Sequence, residues 1–112
     1  MTFNDYQLAV MRTANNDVKA QTSKLLNASL GLNGESGEFA DVVKKCVYQG
    51  HELDRAHLVE ELGDVMWYVA YACDALGCDL SEVVEANVEK LRRRYPEGFS
   101  AERSKHRVAG GE

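Results

Sequence analysis

The chain has 112 residues, a formal net charge of −5 and 45% apolar residues. This length predicts one domain with one modest core, and the composition is that of a globular protein rather than a disordered chain. The acidic charge argues against binding to a nucleic acid polymer, which requires a basic surface. It permits a nucleotide ligand, because a metal ion can bridge carboxylates and phosphates. No secretory signal and no apolar run of about 20 residues is visible, so we expect a cytoplasmic protein with no membrane partner.

Four helical segments follow one another along the chain. Their predicted ranges are about 4–14, about 22–48, 55–76 and about 80–95. Asp54 is a plausible N-cap and Gly77 a plausible C-terminal glycine of the third helix, while Pro96 ends the fourth. No alternating strand pattern competes. We therefore expect an all-α fold, a four-helix-bundle-like single domain over 1–112 that assembles through helix–helix contacts.

Two details qualify this outline. Three glycines inside the second helix lower its expected continuity, because each costs up to about 1 kcal/mol relative to alanine; they are Gly31, Gly34 and Gly37. The tail from about residue 97 is polar and is expected to be loosely held.

The cysteines lack the short spacing of zinc sites and are predicted to be reduced thiols; they are Cys46, Cys73 and Cys78.

Each of the two central helices carries a pair of acidic residues three positions apart. In the second helix Glu35 falls within the apolar stripe, and Glu38 lies about 60° round from it. The stripe consists of Ala28, Leu32, Phe39, Val42 and Cys46. In the third helix Glu61 lies about 60° from the stripe and Asp64 about 120° from it, on the same side. That stripe consists of Leu58, Leu62, Val65, Val69, Ala72 and Leu76.

A carboxylate in an apolar stripe needs a cation, a metal ion or a proton, since burying it alone costs several kcal/mol. Glu35 has no basic residue one turn away, and Glu61 has only His57 at i−4. Clustered carboxylate oxygens favour Mg²⁺, Mn²⁺ or Ca²⁺ over zinc. The alternative is that each acidic pair, taken alone, simply lies on a solvent-exposed face of its helix. The histidines are predicted to be ordinary surface or capping residues, with His51 the strongest candidate for an exception.

The fourth helix places a basic set on one side of its apolar stripe. Asn87, Lys90 and Arg94 are spaced by three and four residues and therefore share a surface. A lysine and an arginine one turn apart suit a polyphosphate, because the guanidinium can bind two oxygens at once. The alternative is a solvated basic helix end that is favourable to the helix dipole.

Taken together, these residues resemble the MazG-like family of all-α nucleoside triphosphate pyrophosphohydrolases. The resemblance extends from about residue 6 to 107 and is carried by GESGE, by EELGDVMWY and by KLRRRYP. The family pattern of ExxE followed by ExxD is met by Glu35 and Glu38, then 22 residues, then Glu61 and Asp64.

The resemblance implies a magnesium site, with manganese as a substitute, formed by Glu35, Glu38, Glu61 and Asp64. It also implies hydrolysis of a nucleoside triphosphate to monophosphate and pyrophosphate by a homodimer or homotetramer. Lys90 and Arg94 match the family's phosphate contacts, and Asn87 matches an asparagine that lies near the nucleotide.

Elementary chemistry then suggests roles for these residues. Glu38 is the candidate to accept a proton from water, and Glu61 is the second catalytic candidate. Glu60 is either a further ligand or a solvated neighbour. The rival interpretations are a non-catalytic helical module that binds nucleotides or proteins, and a carboxylate-bridged oxidase. The oxidase is disfavoured because neither acidic pair has the ExxH spacing.

The assembly prediction rests on the third helix. We expect an exposed apolar face there, and such faces usually mark interfaces. It is formed by Val59, Met66, Trp67 and Ala70. Trp67 is expected to be buried in the core or in the contact.

Overall fold

The protein is described by a computed structural model that covers residues 1–106; residues 107–112 lie outside the described part. Five helices form in 1–106, and no strand does, which confirms the all-α fold class. The helices are α1 (Phe3–Met11), α2 (Gln21–Tyr48), α3 (Arg55–Leu76), α4 (Leu80–Arg94) and α5 (Ala101–Lys105).

Short polar contacts fix several helix ends. The Thr2 hydroxyl accepts from the backbone of Asp5, and the Asp5 carboxylate accepts from the backbone of Thr2, each at 3.0 Å. This reciprocal capping box satisfies amides that α1 would otherwise leave unpaired. As predicted, the Asp54 side chain caps α3, and Gly77 ends it with a positive φ of 73° that favours glycine.

The described residues form two compact units, one from Met1 to Leu80 and a second that begins at Ser81. In the first, α2 packs along α3, and α1 packs on a different side of α3. Gln7 is buried but fully engaged: its Nε2 donates to Cys78 O at 3.1 Å, and its Oε1 accepts from Leu80 N at 2.7 Å. The apolar core consists of Val10, Ala28, Ala70, Tyr71, Cys73, Ala75 and Leu80.

The second unit contains nearly all of α4, followed by the short helix α5, which the sequence analysis did not predict. Ser100 caps α5 by accepting from Arg103 N at 3.3 Å. The Arg103 Nε donates to the Arg94 carbonyl oxygen at 2.6 Å and so connects α5 to the end of α4.

The loosely held tail and the single domain over 1–112 stay predictions. The tail's last residues, including Gly110 and Gly111, are outside the described range.

The three glycines do not interrupt α2, which is continuous from Gln21 to Tyr48. Gly31 has a packing reason: a Cβ at this position would overlap the ring of Tyr68. Glycine therefore lets α2 approach the aromatic side chain of α3. Gly34 and Gly37 face open space, and nothing in the structure explains them.

The predicted apolar stripe of α3 is partly wrong. Leu62 and Leu76 are 52% and 58% exposed, whereas Glu61 is only 5% exposed and lies in the packed interior. Ala70 was expected on the free apolar face but is fully buried. On this side of α3, α1 and the segment after it make contacts: Tyr6 Oη donates to Gly63 O at 3.5 Å, and Trp67 Nε1 donates to Thr13 Oγ1 at 2.8 Å.

The exposed apolar residues of α3 instead form a different set, namely Val59, Leu62, Met66 and Leu76. All three cysteines are free of disulfides, as predicted. Within 1–106, no helix combines the length and the apolar character that a membrane crossing requires.

Candidate metal centre

Three of the four predicted metal ligands meet where α2 packs on α3. Glu35 and Glu38 lie one turn apart on α2, and Glu61 lies on α3. Each offers a carboxylate oxygen, and these atoms lie within 4.8 Å of one another. Glu61 is buried, Glu35 is half-buried and Glu38 is exposed. The cluster therefore runs from the packed helix interface out to solvent.

Two oxygens of this cluster are buried without a hydrogen-bond partner in the described protein. They are Oε2 of Glu35 and Oε2 of Glu61. Orphaned carboxylate oxygens are unfavourable away from water unless a cation or a proton reaches them. Facing carboxylates of this kind match the oxygen-rich ligand sets of Mg²⁺ and Mn²⁺. The residues present therefore fit a hard divalent cation.

The carboxylates also perturb one another's protonation. The Glu61 side chain, through its hydrogen bond to Glu35, raises the pKa of Glu35 from 4.5 to about 7. Burial and the charges of Glu38, Glu61 and Asp64 act in the same direction. The same hydrogen bond lowers the pKa of Glu61. Without a cation, Glu35 thus holds the proton and Glu61 holds the charge, as expected for like groups that share one site.

Asp64 lies at the edge of this centre. It is exposed, and among residues 1–106 it is not part of the three-carboxylate group. Its charge nevertheless reaches the centre, since it contributes to the raised pKa of Glu35. After burial, it is also the second cause of the raised pKa of Tyr6 on α1. The structure therefore places Asp64 beside the cluster.

An open pocket of about 310 Å³ adjoins the carboxylates. It is lined by Thr13, Glu35, Asp64, Trp67 and Tyr68. The Trp67 Nε1–H donates to Thr13 Oγ1 at 2.8 Å, and the indole meets Tyr68 edge-on with ring centroids 5.0 Å apart. The pocket thus joins an aromatic wall to two acidic groups. Thr13 and Trp67 were not among the predicted site residues, because their contact spans distant parts of the chain.

Trp67 itself is half-buried rather than buried. Its other contact is Tyr71, on which it stacks with centroids 5.3 Å apart and planes at 18°. The predicted burial of Trp67 is therefore met only in part within the chain. Trp67 also lines the pocket.

His57 is exposed, as predicted for a surface histidine, and has a further contact. Its Nε2 lies 3.1 Å from Oε1 of Glu61, so it contacts a member of the cluster directly. The i, i+4 spacing was visible in the sequence, but the burial of Glu61 was not. Glu60 is exposed and is not part of the cluster in the described chain.

The basic residues predicted to bind phosphate belong to the second unit. Asn87 is exposed, and Lys90 and Arg94 are half-buried along α4. Arg92 and Arg93 both approach the Glu89 carboxylate, at 3.7 and 3.9 Å. Two arginines of the KLRRR run therefore lie near one carboxylate on the same helix.

Fold and site together define an all-α protein in which two packed helices share a carboxylate-rich centre suited to a hard cation. Residues 21–99 match the MazG nucleotide pyrophosphohydrolase domain, and the chain belongs to that family. The matched range contains all seven predicted site residues, from Glu35 to Arg94.

A relative is found in Mycobacterium phage L5. The chain is 42% identical over 74 residues to its Gene 37 protein, an alignment that covers 62% of this chain and 65% of that protein. The chain thus spans slightly less than two thirds of this curated relative's length. No solved structure matches the chain.

Proposed function

We propose that the protein hydrolyses nucleoside triphosphates to nucleoside monophosphate and pyrophosphate with Mg²⁺ or Mn²⁺, as a housekeeping enzyme of the nucleotide pool. One observation carries the proposal most strongly. Glu35 and Glu61 present buried oxygens without partners at the meeting point of α2 and α3, inside the range matched by the MazG domain. Such an arrangement is unfavourable unless a cation or a proton balances the buried charge.

In this proposal Glu35, Glu38, Glu61 and Asp64 hold the metal ion. A bound divalent cation neutralises phosphate charge and lowers the pKa of a coordinated water. Glu38 accepts the proton of the attacking water, because it belongs to the cluster and yet is exposed. Glu61 fixes the buried side of the centre. Since Glu35 carries a proton near neutral pH when no cation is bound, cation binding releases that proton.

The phosphates are bound by the α4 residues in this proposal. Lys90 and Arg94 stabilise the negative charge of the departing pyrophosphate, and Asn87 contacts the nucleotide. Support comes from their shared face on α4 and from the engagement of the neighbouring Arg92 with Glu89. The other arginines of the KLRRR run are not needed to bind the phosphates.

The pocket beside the carboxylates is proposed to receive the nucleoside part of the substrate. Its volume of about 310 Å³ is at the lower end of ordinary small-molecule sites. Tyr68 and Trp67 supply aromatic surface for stacking a base.

We further propose that the enzyme is a homodimer or homotetramer. The four exposed apolar residues of α3 support this, because apolar surface of this kind is usually covered by a partner. Sedimentation at micromolar concentration should show a species larger than the 12.5 kDa chain. A monomer alone would contradict the assembly without touching the proposed chemistry.

The experiment that tests the activity is a screen of canonical and modified nucleoside triphosphates for pyrophosphate release, with Mg²⁺ and with a chelator. Glu38→Gln and Glu60→Gln form a matched pair, since both glutamates are exposed but only Glu38 belongs to the cluster. We expect Glu38→Gln to abolish turnover and Glu60→Gln to leave it intact. Magnesium-independent turnover would contradict the proposal, and the absence of any turnover would favour a non-catalytic nucleotide-binding module.

A further inference from the structure

One hydrogen bond reaches the buried carboxylate of Glu61 from outside the acidic cluster. Nε2 of His57 lies 3.1 Å from Oε1 of Glu61, while Oε2 of Glu61 has no hydrogen-bond partner in the described chain. The Glu61 side chain is 6% exposed and that of His57 is 46% exposed. The imidazole therefore sits at the surface and contacts a group that solvent does not reach.

His57 is itself held in a fixed place. It lies in the first turn of α3, and its backbone N–H donates to Oδ1 of the N-cap residue Asp54 at 3.1 Å. Residues four apart on a helix face each other, so the ring projects along α3 towards Glu61. The helix cap thus anchors the backbone from which the imidazole reaches the carboxylate.

We propose that His57 is a positioning residue: by donating from Nε2 to Oε1, it holds the Glu61 carboxylate in place and leaves Oε2 as the metal-ligating atom. This inference rests on the proposed metal site, because a fixed orientation of Glu61 matters only if a cation binds there. Outer groups that orient a metal ligand commonly change metal affinity by about 10–100-fold when removed.

A simpler role is possible for such a pair, and it makes a different prediction. A pair at i and i+4 can also simply stabilise the helix that carries it. If His57 merely stabilised α3, its loss would lower the melting temperature of the metal-free protein and leave metal affinity unchanged. A positioning role instead predicts weaker metal binding with little change in metal-free stability.

Two substitutions distinguish the effect of the hydrogen-bond donor at position 57 from the effect of side-chain shape. His57→Gln places an amide Nε2–H about as far along the side chain as the imidazole Nε2, while His57→Met has similar length and no donor. The probe is Mn²⁺ alone, with free Mn²⁺ followed by electron paramagnetic resonance in the absence of nucleotide. We expect His57→Met to bind Mn²⁺ about 10–100-fold more weakly than the wild type, and His57→Gln to retain most of the affinity. His106→Met, at the exposed C-cap of α5, is the matched control and should bind as the wild type does.

The Glu61→Gln variant distinguishes the two ways in which the inference can fail. If Glu61→Gln binds Mn²⁺ as tightly as the wild type, the carboxylate cluster is not the metal site and the proposed function fails with it. If Glu61→Gln weakens binding but His57→Met does not, the positioning role is wrong and the metal site stands. Equal losses in the Gln and Met variants would likewise overturn the role, since shape rather than donation would then matter. Because His57 acts through Glu61, His57→Met should add nothing in the Glu61→Gln background.

Discussion

The acidic centre of the first unit and the basic run of the second are both clusters of like charges, but their surroundings differ. Around Glu61 the carboxylates lie close together in a partly buried centre, share a proton and leave two buried oxygens unpartnered. On α4 the side chain of Arg92 is 73% exposed and pairs with a glutamate three residues away. Exposed pairs contribute little to stability, whereas buried like charges affect protonation, stability and ligand binding together. A substitution in the acidic centre should therefore change several properties, and one on α4 should change only ligand binding.

The largest expected effect is that of Glu61→Gln, which keeps the shape of the side chain and removes its charge. Pyrophosphate release should fall by more than about 100-fold, since even the outer partners of metal ligands contribute about 10–100-fold. The melting temperature in a chelator should hold or rise, because one of several mutually repelling carboxylates is gone. The gain in melting temperature on adding Mg²⁺ should shrink with the affinity. Calorimetry and a pyrophosphate assay on the same preparation measure the expected loss of activity and the expected unchanged or higher metal-free melting temperature. An active variant with a much lower metal-free melting temperature would refute the assignment of Glu61 to the metal site.

The next effect concerns α4 and should appear in ligand binding alone. Lys90→Ala and Arg94→Ala should each lower turnover or nucleotide affinity by about one to two decades, because losing a charge-assisted hydrogen bond costs about 1.5–3 kcal/mol. Arg92→Ala is the control, since Arg92 points about 160° away from Arg94 on the helix and pairs with Glu89. Steady-state kinetics with the preferred triphosphate measure all three. Equal losses at the three positions would show that α4 acts through diffuse charge.

The sequence predicted the helices well and the faces of the helices less well. Helix ends at Asp54 and Gly77 were predictable because capping chemistry is local. The side of α3 that α1 covers was not, since the contact of Trp67 with Thr13 joins residues 54 positions apart. Convergence of Glu35, Glu38 and Glu61 followed from their spacing on two helices. The role of His57 did not, because an i, i+4 partner gains importance only when its neighbour is buried.

The smallest predicted effect, on the pH dependence of stability, tests most directly whether the carboxylates act as one group. The pKa of Glu35 is raised from 4.5 to about 7 in the folded protein. A carboxyl with a raised folded pKa contributes stability at low pH and loses that contribution as the pH rises through the folded value. Glu35→Gln keeps a hydrogen-bond donor for Glu61 but does not titrate. In a chelator, the melting temperature of the wild type relative to Glu35→Gln should therefore fall between about pH 5 and pH 7 and level off above. The lowered pKa of Glu61 acts in the opposite sense below about pH 4.5, outside this window.

Saturating Mg²⁺ at pH 8 should restore the melting temperature of the wild type but not that of the variant, because the cation takes the place of the proton. Parallel melting curves for the two proteins from pH 5 to pH 8 would mean that Glu35 titrates as an isolated carboxylate, and the comparison between the coupled acidic centre and the independent charges of α4 would fail.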